Sequence, residues 1–292
     1  MLKELAEEVA PILTMIFQSL VDTGTVPADW KTANVTPLFK KGDKYDAAIY
    51  RPVSLTCICC KLLEHIMTTT SMGHLEGHGI LCDQQHGFRK KRSCETQLLE
   101  FTDELINNMA KGAQTDIQIL DFSKAFDRVN HSLLVHKLYH YGVRGTLNRW
   151  ISDFLRDRKQ AVVINGAKSD FINVESGVPQ GSVLGPCLFL VYINDLPNRL
   201  TSSARLFADD TAVYSMVSST EDQTRLQQDL NRLSEWEESW DMAFHPEKCT
   251  TLAVTRSGRV LRHQYRLHGR DLELVTSARY LGGDCEWGCH LG

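Results

Sequence analysis

The chain has 292 residues, 42% hydrophobic and 23% charged, which suffices to bury the core of one large domain or two closely packed ones and excludes disorder as a general description. Its formal net charge of -4, from 32 Lys+Arg against 36 Asp+Glu, gives no overall attraction for a polyanion, so the placement of charge decides what it binds. The longest nearly apolar run, residues 183–193, is too short to cross a bilayer, and no membrane partner is expected.

In chain order, Leu2, Leu5, Val9, Leu13, Ile16 and Leu20 fall on one helical stripe over residues 2–21, interrupted by Pro11 and closed by Gly24 and Pro27. The stripe begins apolar with no earlier element to cover it, which points to a start inside a longer polypeptide. Residues 30–52 are Lys-rich, with an extended stretch at 35–39 and a turn at Gly42 and Asp43. Residues 55–70 become helical, and 94–109 form another helix whose apolar face is Leu98, Leu99, Phe101, Leu105 and Met109. Basic residues crowd into 31–92 while 221–247 is acidic, so one face is set to attract nucleic acid and another to face solvent.

Ile117, Gln118 and Ile119 alternate into Leu120 and Asp121, a short strand ending on a carboxylate. Helices follow around Leu134, Leu138 and Tyr141 and over residues 150–155. Residues 162–164, an Asn165-Gly166 turn and residues 171–174 read as a hairpin, and 184–195 as a buried helix. Residues 204–207 and 211–216 are strands around Ala208, Asp209 and Asp210, which implies a tight hairpin. Leu226, Leu230, Leu233, Trp236 and Trp240 stripe a helix over 221–240, and 252–255 is a strand. Helices interleaved with a small antiparallel sheet make an α+β fold.

Nine cysteines without secreted-scaffold spacing, and no apolar leader, indicate reduced thiols in an intracellular protein of the cytoplasm or nucleus, not a secreted one. Cys57, Cys59 and Cys60 do not repeat a C-x₂-C ligand pair and read as incidental thiols, whereas Cys285, Cys289 and His290 form half a zinc set with no partner set.

The chemistry centres on carboxylates. Asp121 ends one strand and Asp209 and Asp210 occupy the turn between two others, so antiparallel packing would bring them together. Two such charges 4 Å apart repel by about 1 kcal/mol in water and several times more in a less polar cleft. A positive charge between them relieves this, and Mg²⁺, a hard cation that takes oxygen ligands and bridges to phosphates, meets the need. The competing reading of an isolated Asp-Asp pair is a turn or cap.

Seven segments in one order then resemble the reverse transcriptases of non-LTR, or LINE-type, retrotransposons: YRPVSL (50–55), QQHGFRKKRS (84–93), DFSKAFDRV (121–129), SGVPQGSVLGPCLF (176–189), FADD (207–210), HPEKC (245–249) and RYLGG (279–283). The resemblance implies a right-hand polymerase, with an N-terminal helical extension at 1–29, fingers at 30–115, a palm with primer grip at 116–283 and an atypical tail at 284–292 in place of most of a thumb. It implies RNA-directed DNA polymerase activity by two-metal nucleotidyl transfer, with two Mg²⁺ ions (or Mn²⁺), an RNA template, a DNA primer and dNTPs. Asp121 and Asp209 resemble the metal ligands and Asp210 assists, whereas Asp127 faces away and is structural.

By the same resemblance Phe126 is the steric gate under the sugar, and Arg51 and Arg89 are contacts to phosphate or template. Gln180 and Gly181 lie where template base and nucleotide meet. Lys248 approaches the leaving pyrophosphate, and Tyr280, Leu281 and Gly282 form the primer grip. Simpler readings stand beside these: a core Phe126, a solvated or nuclear-localisation patch at 89–92, a tight loop at 179–181 and a turn lysine at 248. The KAFD, PQGSVLGP and FADD combination sets the chain apart from group-II-intron maturases and telomerases. The alternative function is a catalytically inactive nucleic-acid-binding remnant of a retrotransposon protein.

Overall fold

The computed structural model describes residues 4–40, 42–257, 260–281 and 283–285. Among these the helices are α1 (Ala6–Thr23), α2 (Ile58–Gly77), α3 (Cys94–Ala110), α4 (Ala125–Arg128), α5 (His131–His140), α6 (Gly145–Leu155), α7 (Gly185–Ile193) and α8 (Thr220–Ser239). The strands are β1 (Thr32–Phe39), β2 (Tyr50–Leu55), β3 (Gln114–Leu120), β4 (Arg158–Ile164), β5 (Ala167–Lys168), β6 (Ile172–Val174), β7 (Ser203–Phe207), β8 (Asp210–Val217) and β9 (Thr250–Val254). Short pieces close the chain: β10 (Arg266–Leu267), β11 (Arg270–Asp271), β12 (Glu273–Val275), β13 (Ala278–Tyr280) and β14 (Gly283–Cys285). The chain divides into two compact units, each built from two stretches: residues 1–80 with 126–192, and 81–125 with 193–292.

In the first unit β1 pairs antiparallel with β2 and parallel with β4, which in turn carries β5 and β6. The helix α1 runs through Pro11, whose missing N–H removes one bond, and stops where Gly24 takes the left-handed φ of 68°. The helix expected from residue 55 begins instead at Ile58, because residues 50–55 are drawn into the β1 ladder as far as the pair Asn34↔Leu55. The Asn165-Gly166 turn forms with both residues at positive φ, 50° and 83°, as a two-residue hairpin turn requires. Its returning strand is split into β5 and β6, and Phe171 stays outside both. The helix α7 has no polar face, and Leu188, Phe189, Leu190, Val191 and Tyr192 are all buried.

In the second unit β3 is the middle strand of the order β12-β9-β3-β8-β7, antiparallel to both β8 and β9. Phe101 and Leu105 of α3 pack with Ile117, Ala212, Tyr214, Leu252, Val254 and Tyr280 into one core. The helix α8 buries Leu226, Leu230, Leu233 and Trp236 along its stripe, and Ser219 starts it with a capping box to Asp222. No helix among the described residues is long and apolar enough to cross a membrane.

Candidate nucleotidyl-transfer site

The site lies at one end of the second unit's sheet. Leu120 of β3 stands opposite Thr211 of β8, so one step further along the same antiparallel register Asp121 comes opposite Asp210. Phe207 pairs with Asp210, leaving Ala208 and Asp209 as the two turn residues of the β7-β8 hairpin. Asp121 and the adjacent Asp209 and Asp210, distant in sequence, thus share one sheet end. Withdrawal of its carboxyl from water, then the charges of Asp209 and Asp121, push Asp210 up to about 6. Asp210 is exposed as a whole residue, so the two neighbouring charges act on its carboxyl beside the partial loss of water.

A segment after α8 runs beside Asp121. Ser123 N–H donates to the Ala243 carbonyl at 2.7 Å, His245 N–H donates to the Asp121 carbonyl at 2.7 Å, and the Phe122 and Phe244 rings stack at 4.1 Å. This alignment brings Lys248 Nζ to 3.6 Å from Asp121 Oδ1, with both side chains about half exposed. At that separation and exposure the pair contributes little stability and leaves the ammonium available to another anion. Cys249, buried beneath, donates its thiol to the His245 carbonyl at 3.3 Å and accepts from Asp121 N–H at 3.5 Å; burial pushes the thiol up to about 11, so it is a neutral packing group.

Among the described residues no three Asp, Glu, His or Cys side chains converge into a ready-made metal cage. The donor set nonetheless suits a hard divalent cation: it offers carboxylate oxygens, and Asp210 resists ionisation because its carboxyl is withdrawn from water and two like charges face it. Cys57, Cys59, Cys60 and Cys249 are free thiols. Cys289 and His290, the remainder of the possible zinc half-set, lie outside the described residues, as does Gly282.

The first unit assembles another group of expected site residues. Arg51 is exposed on β2 opposite Leu38. Three residues on, Ser54 N–H donates to the Gln180 carbonyl at 2.8 Å, while Gly181, at φ 104°, lies so close that a Cβ there would sit 2.8 Å from the Ser54 carbonyl oxygen. The PQG loop and the RPVSL strand are therefore one joined piece, which only glycine permits. Gln180 Nε2 donates to Asp127 Oδ1 at 2.8 Å, and Asp127 in turn holds Ser176 through its carbonyl, so Asp127 ties the loop together. The half-buried Phe126 ring stacks on Phe189 at 4.4 Å, which fixes its plane from below.

Two expected contacts are placed differently from a freely presented side chain. The Arg89 guanidinium donates to the carbonyls of Cys82 at 2.7 Å and Gln85 at 3.3 Å, so it braces its own loop. The Tyr280 ring is 3% exposed within the core, accepts from Gln97 Nε2 at 3.1 Å and donates to the Arg205 carbonyl at 3.4 Å. Beside it Leu281 takes a φ of 55°.

Sequence reasoning passed over Glu64 and Gln85. Glu64 is fully buried on α2 and accepts from the amides of Val183 at 2.7 Å and Leu184 at 3.0 Å, so it anchors the PQGSVLGP segment in the first unit. A signal existed: Cys60, Leu63, Glu64 and Met67 share the buried face, where an acid is out of place without donors. Gln85, in the loop before α3, has no periodicity to mark it.

These features define an α+β fold in which helices pack on mixed and antiparallel sheets. A telomerase from Candida albicans superposes with a TM-score of 0.59 at 11% identity, covering 94% of this chain and 48% of that one. Apo telomerase from Candida tropicalis truncated from its C-terminal domain gives 0.58 at 10%, covering 96% and 59%. At such identity these show the fold alone. Residues 39–283 match the family described as "Reverse transcriptase (RNA-dependent DNA polymerase)". The chain belongs to that family, and its sequence relatives place it with the non-LTR, LINE-type members.

The "RNA-directed DNA polymerase from mobile element jockey" of Drosophila melanogaster is 29% identical over 95% of this chain and 33% of its own length. Its Drosophila funebris counterpart is 30% identical over 85% and 28%, and the "Probable RNA-directed DNA polymerase from transposon X-element" 28% over 96% and 32%. The chain spans about a third of the length of these curated relatives.

Proposed function

We propose that this chain carries out RNA-templated DNA synthesis, adding dNTPs to a primer 3′-hydroxyl, with residues 30–115 acting as fingers and 116–283 as palm. The observation that carries the reading is the register that sets Asp121 opposite Asp210 beside the Asp209 turn. Two Mg²⁺ ions, or Mn²⁺, held by Asp121 and Asp209 with Asp210 in support, would activate the 3′-hydroxyl and neutralise the triphosphate. In the reaction the 3′-hydroxyl releases its proton to solvent, its oxygen bonds to the α-phosphorus, the bond from that phosphorus to the bridging oxygen breaks, and pyrophosphate leaves.

Lys248, poised beside Asp121, meets the charge that develops on the leaving group. Arg51, exposed on β2, offers its planar donor fork to the triphosphate, and the Gln180-Gly181 loop presents backbone to the nascent base pair. Phe126, its plane fixed by Phe189, fills the volume of a ribose 2′-hydroxyl and selects dNTPs. The buried Tyr280 shapes the primer grip from beneath, and backbone around Leu281 makes the contact. Arg89 serves by stiffening the loop that carries the exposed Lys90 and Lys91.

The alternative is a catalytically inactive nucleic-acid-binding remnant of a retrotransposon protein. Primer extension by the purified chain on an RNA template with Mg²⁺, in dNTP and rNTP arms and with an Asp209→Ala control, separates the two. Extension with dNTPs that Asp209→Ala abolishes is expected. Absence of extension by folded chain under saturating template-primer would establish the remnant.

A further inference from the structure

The segment before α3 seizes the hairpin that bears Asp209. His86 N–H donates to the Leu206 carbonyl and Leu206 N–H donates to the Gln84 carbonyl, each at 2.9 Å, so residues 84–86 lie as a short parallel extension on the outer edge of β7. The Gln85 side chain, 2% exposed, then reaches the turn itself. Its Oε1 accepts from Ala208 N–H at 2.9 Å and from Gly87 N–H at 2.7 Å, while its Nε2 donates to the Ala208 carbonyl at 3.3 Å. One primary amide thus satisfies both backbone groups of the residue preceding Asp209.

That residue needs holding. Ala208 sits at φ 54°, a region a non-glycine residue rarely adopts unless its surroundings impose it. Gly87 supplies the other side of the grip: a Cβ there would lie 2.3 Å from Ala208 N, so the two backbones are in direct contact. The hydrogen bonds between β7 and β8 do not extend to the backbone groups of Ala208, which lies within the turn.

We propose that Gln85, backed by Gly87, is a positioning residue that locks the Ala208-Asp209 turn and so fixes where the Asp209 carboxylate stands. Its effect on catalysis rests on the reading of Asp209 as a metal ligand; its effect on the turn does not. A misplacement of about 1 Å in such a group lowers a rate by about 10²-fold.

The test uses Gln85→Leu, which keeps approximate size and loses all three bonds, and Gln85→Glu, which keeps the oxygen acceptor for the two amides and loses the donor. Hydrogen–deuterium exchange over residues 203–212 is read against residues 114–120, and primer extension is read as kcat, KM for dNTP and half-saturating Mg²⁺. In Gln85→Leu the 203–212 amides are expected to exchange about tenfold faster with 114–120 unchanged. The kcat should fall about 10²-fold with little change in KM for dNTP, and half-saturating Mg²⁺ should rise. Gln85→Glu should recover most of the protection and the rate.

Exchange in Gln85→Leu that matches the parent chain over 203–212, or that rises equally in 114–120, overturns the proposal. If Gln85→Leu does not fold, Gly87→Ala takes its place with the same expected localisation of exchange. If the parent chain never extends a primer while the exchange change is confined to 203–212, the lock stands and the polymerase reading falls.

Discussion

At Asp210 one carboxyl ionises while withdrawn from water and against the charge of two others, and the consequence is a pH dependence opposite to that of a salt-bridged acid. Its folded value near 6 stands above the ordinary value near 4, so between those values the folded chain holds a proton that the unfolded chain has released. The stabilisation is therefore full below the unfolded value and is lost as pH rises through about 6. Asp209→Asn removes one neighbouring charge and should bring Asp210 down toward the usual carboxylate range, with a shallower loss of stability from pH 4 to 6.5. Carboxyl NMR titration beside urea melts at the two pH values checks this; an unmoved Asp210 titration in Asp209→Asn would show that the two acids do not communicate. Glu64 offers a second residue-scale case, because its carboxylate is the acceptor for two amides at the start of the α7 region. Glu64→Ala leaves them without it and should cost about 3 kcal/mol in urea unfolding, whereas Glu64→Gln, which keeps an oxygen, should cost clearly less.

The joint between β2 and the PQG loop is the element-scale feature most exposed to a single substitution. Gly181→Ala meets both a positive φ and a carbonyl oxygen 2.8 Å away, so the loop must leave β2 or β2 must bend. A loss of about 2 kcal/mol in stability is expected, together with a raised KM for dNTP and a lesser change in kcat. A KM equal to that of the parent chain would detach this loop from nucleotide binding. Elements of this kind divide in how readable they were. The stripe of α8, the Asn165-Gly166 turn and the strand that stops at Asp121 are local patterns, each found where its residues placed it; the face of α3 is found through Phe101 and Leu105, but Leu99, one residue off that line, is exposed. The parallel pairings of β1 with β4 and of β12 with β9 carry no local mark, since they join distant segments whose own patterns suit other partners equally well. The start of α2 was misread for the same reason: pairing with β1 claims residues up to Leu55 that a helical pattern would otherwise take. Of the site, the carboxylates were legible because motif and strand end coincide. Gln85 and the burial of Tyr280 were not, because a side chain's partners depend on what the fold lays beside it.

At the scale of the whole molecule the net charge of -4 is a poor guide, because the basic 31–92 stretch divides into engaged and exposed cations. Lys31 pairs with Asp153 at 2.9 Å, Arg92 with Asp83 at 2.8 Å, and Arg89 is turned onto carbonyls. Lys40, Lys44, Arg51, Lys90 and Lys91 remain exposed in the same stretch and are the cations with which phosphates would exchange counterions. Neutralising about four or five phosphates on a single strand gives a slope near -3 for log K against log salt. Affinity for a template-primer should then fall about 10²-fold between 50 and 200 mM salt. Exchanging Lys90 and Lys91 for Ala should weaken binding at low salt and reduce the slope by about 1 to 2, because each lost cation removes its own counterion release. Fluorescence anisotropy of a labelled template-primer across that salt range measures both quantities. A flat salt dependence would mean that these cations meet no phosphate and that recognition, if any, proceeds through neutral groups. An unchanged slope in the double variant, with the parental slope steep, would move the contacts off the loop before α3 and onto Lys40, Lys44 and Arg51.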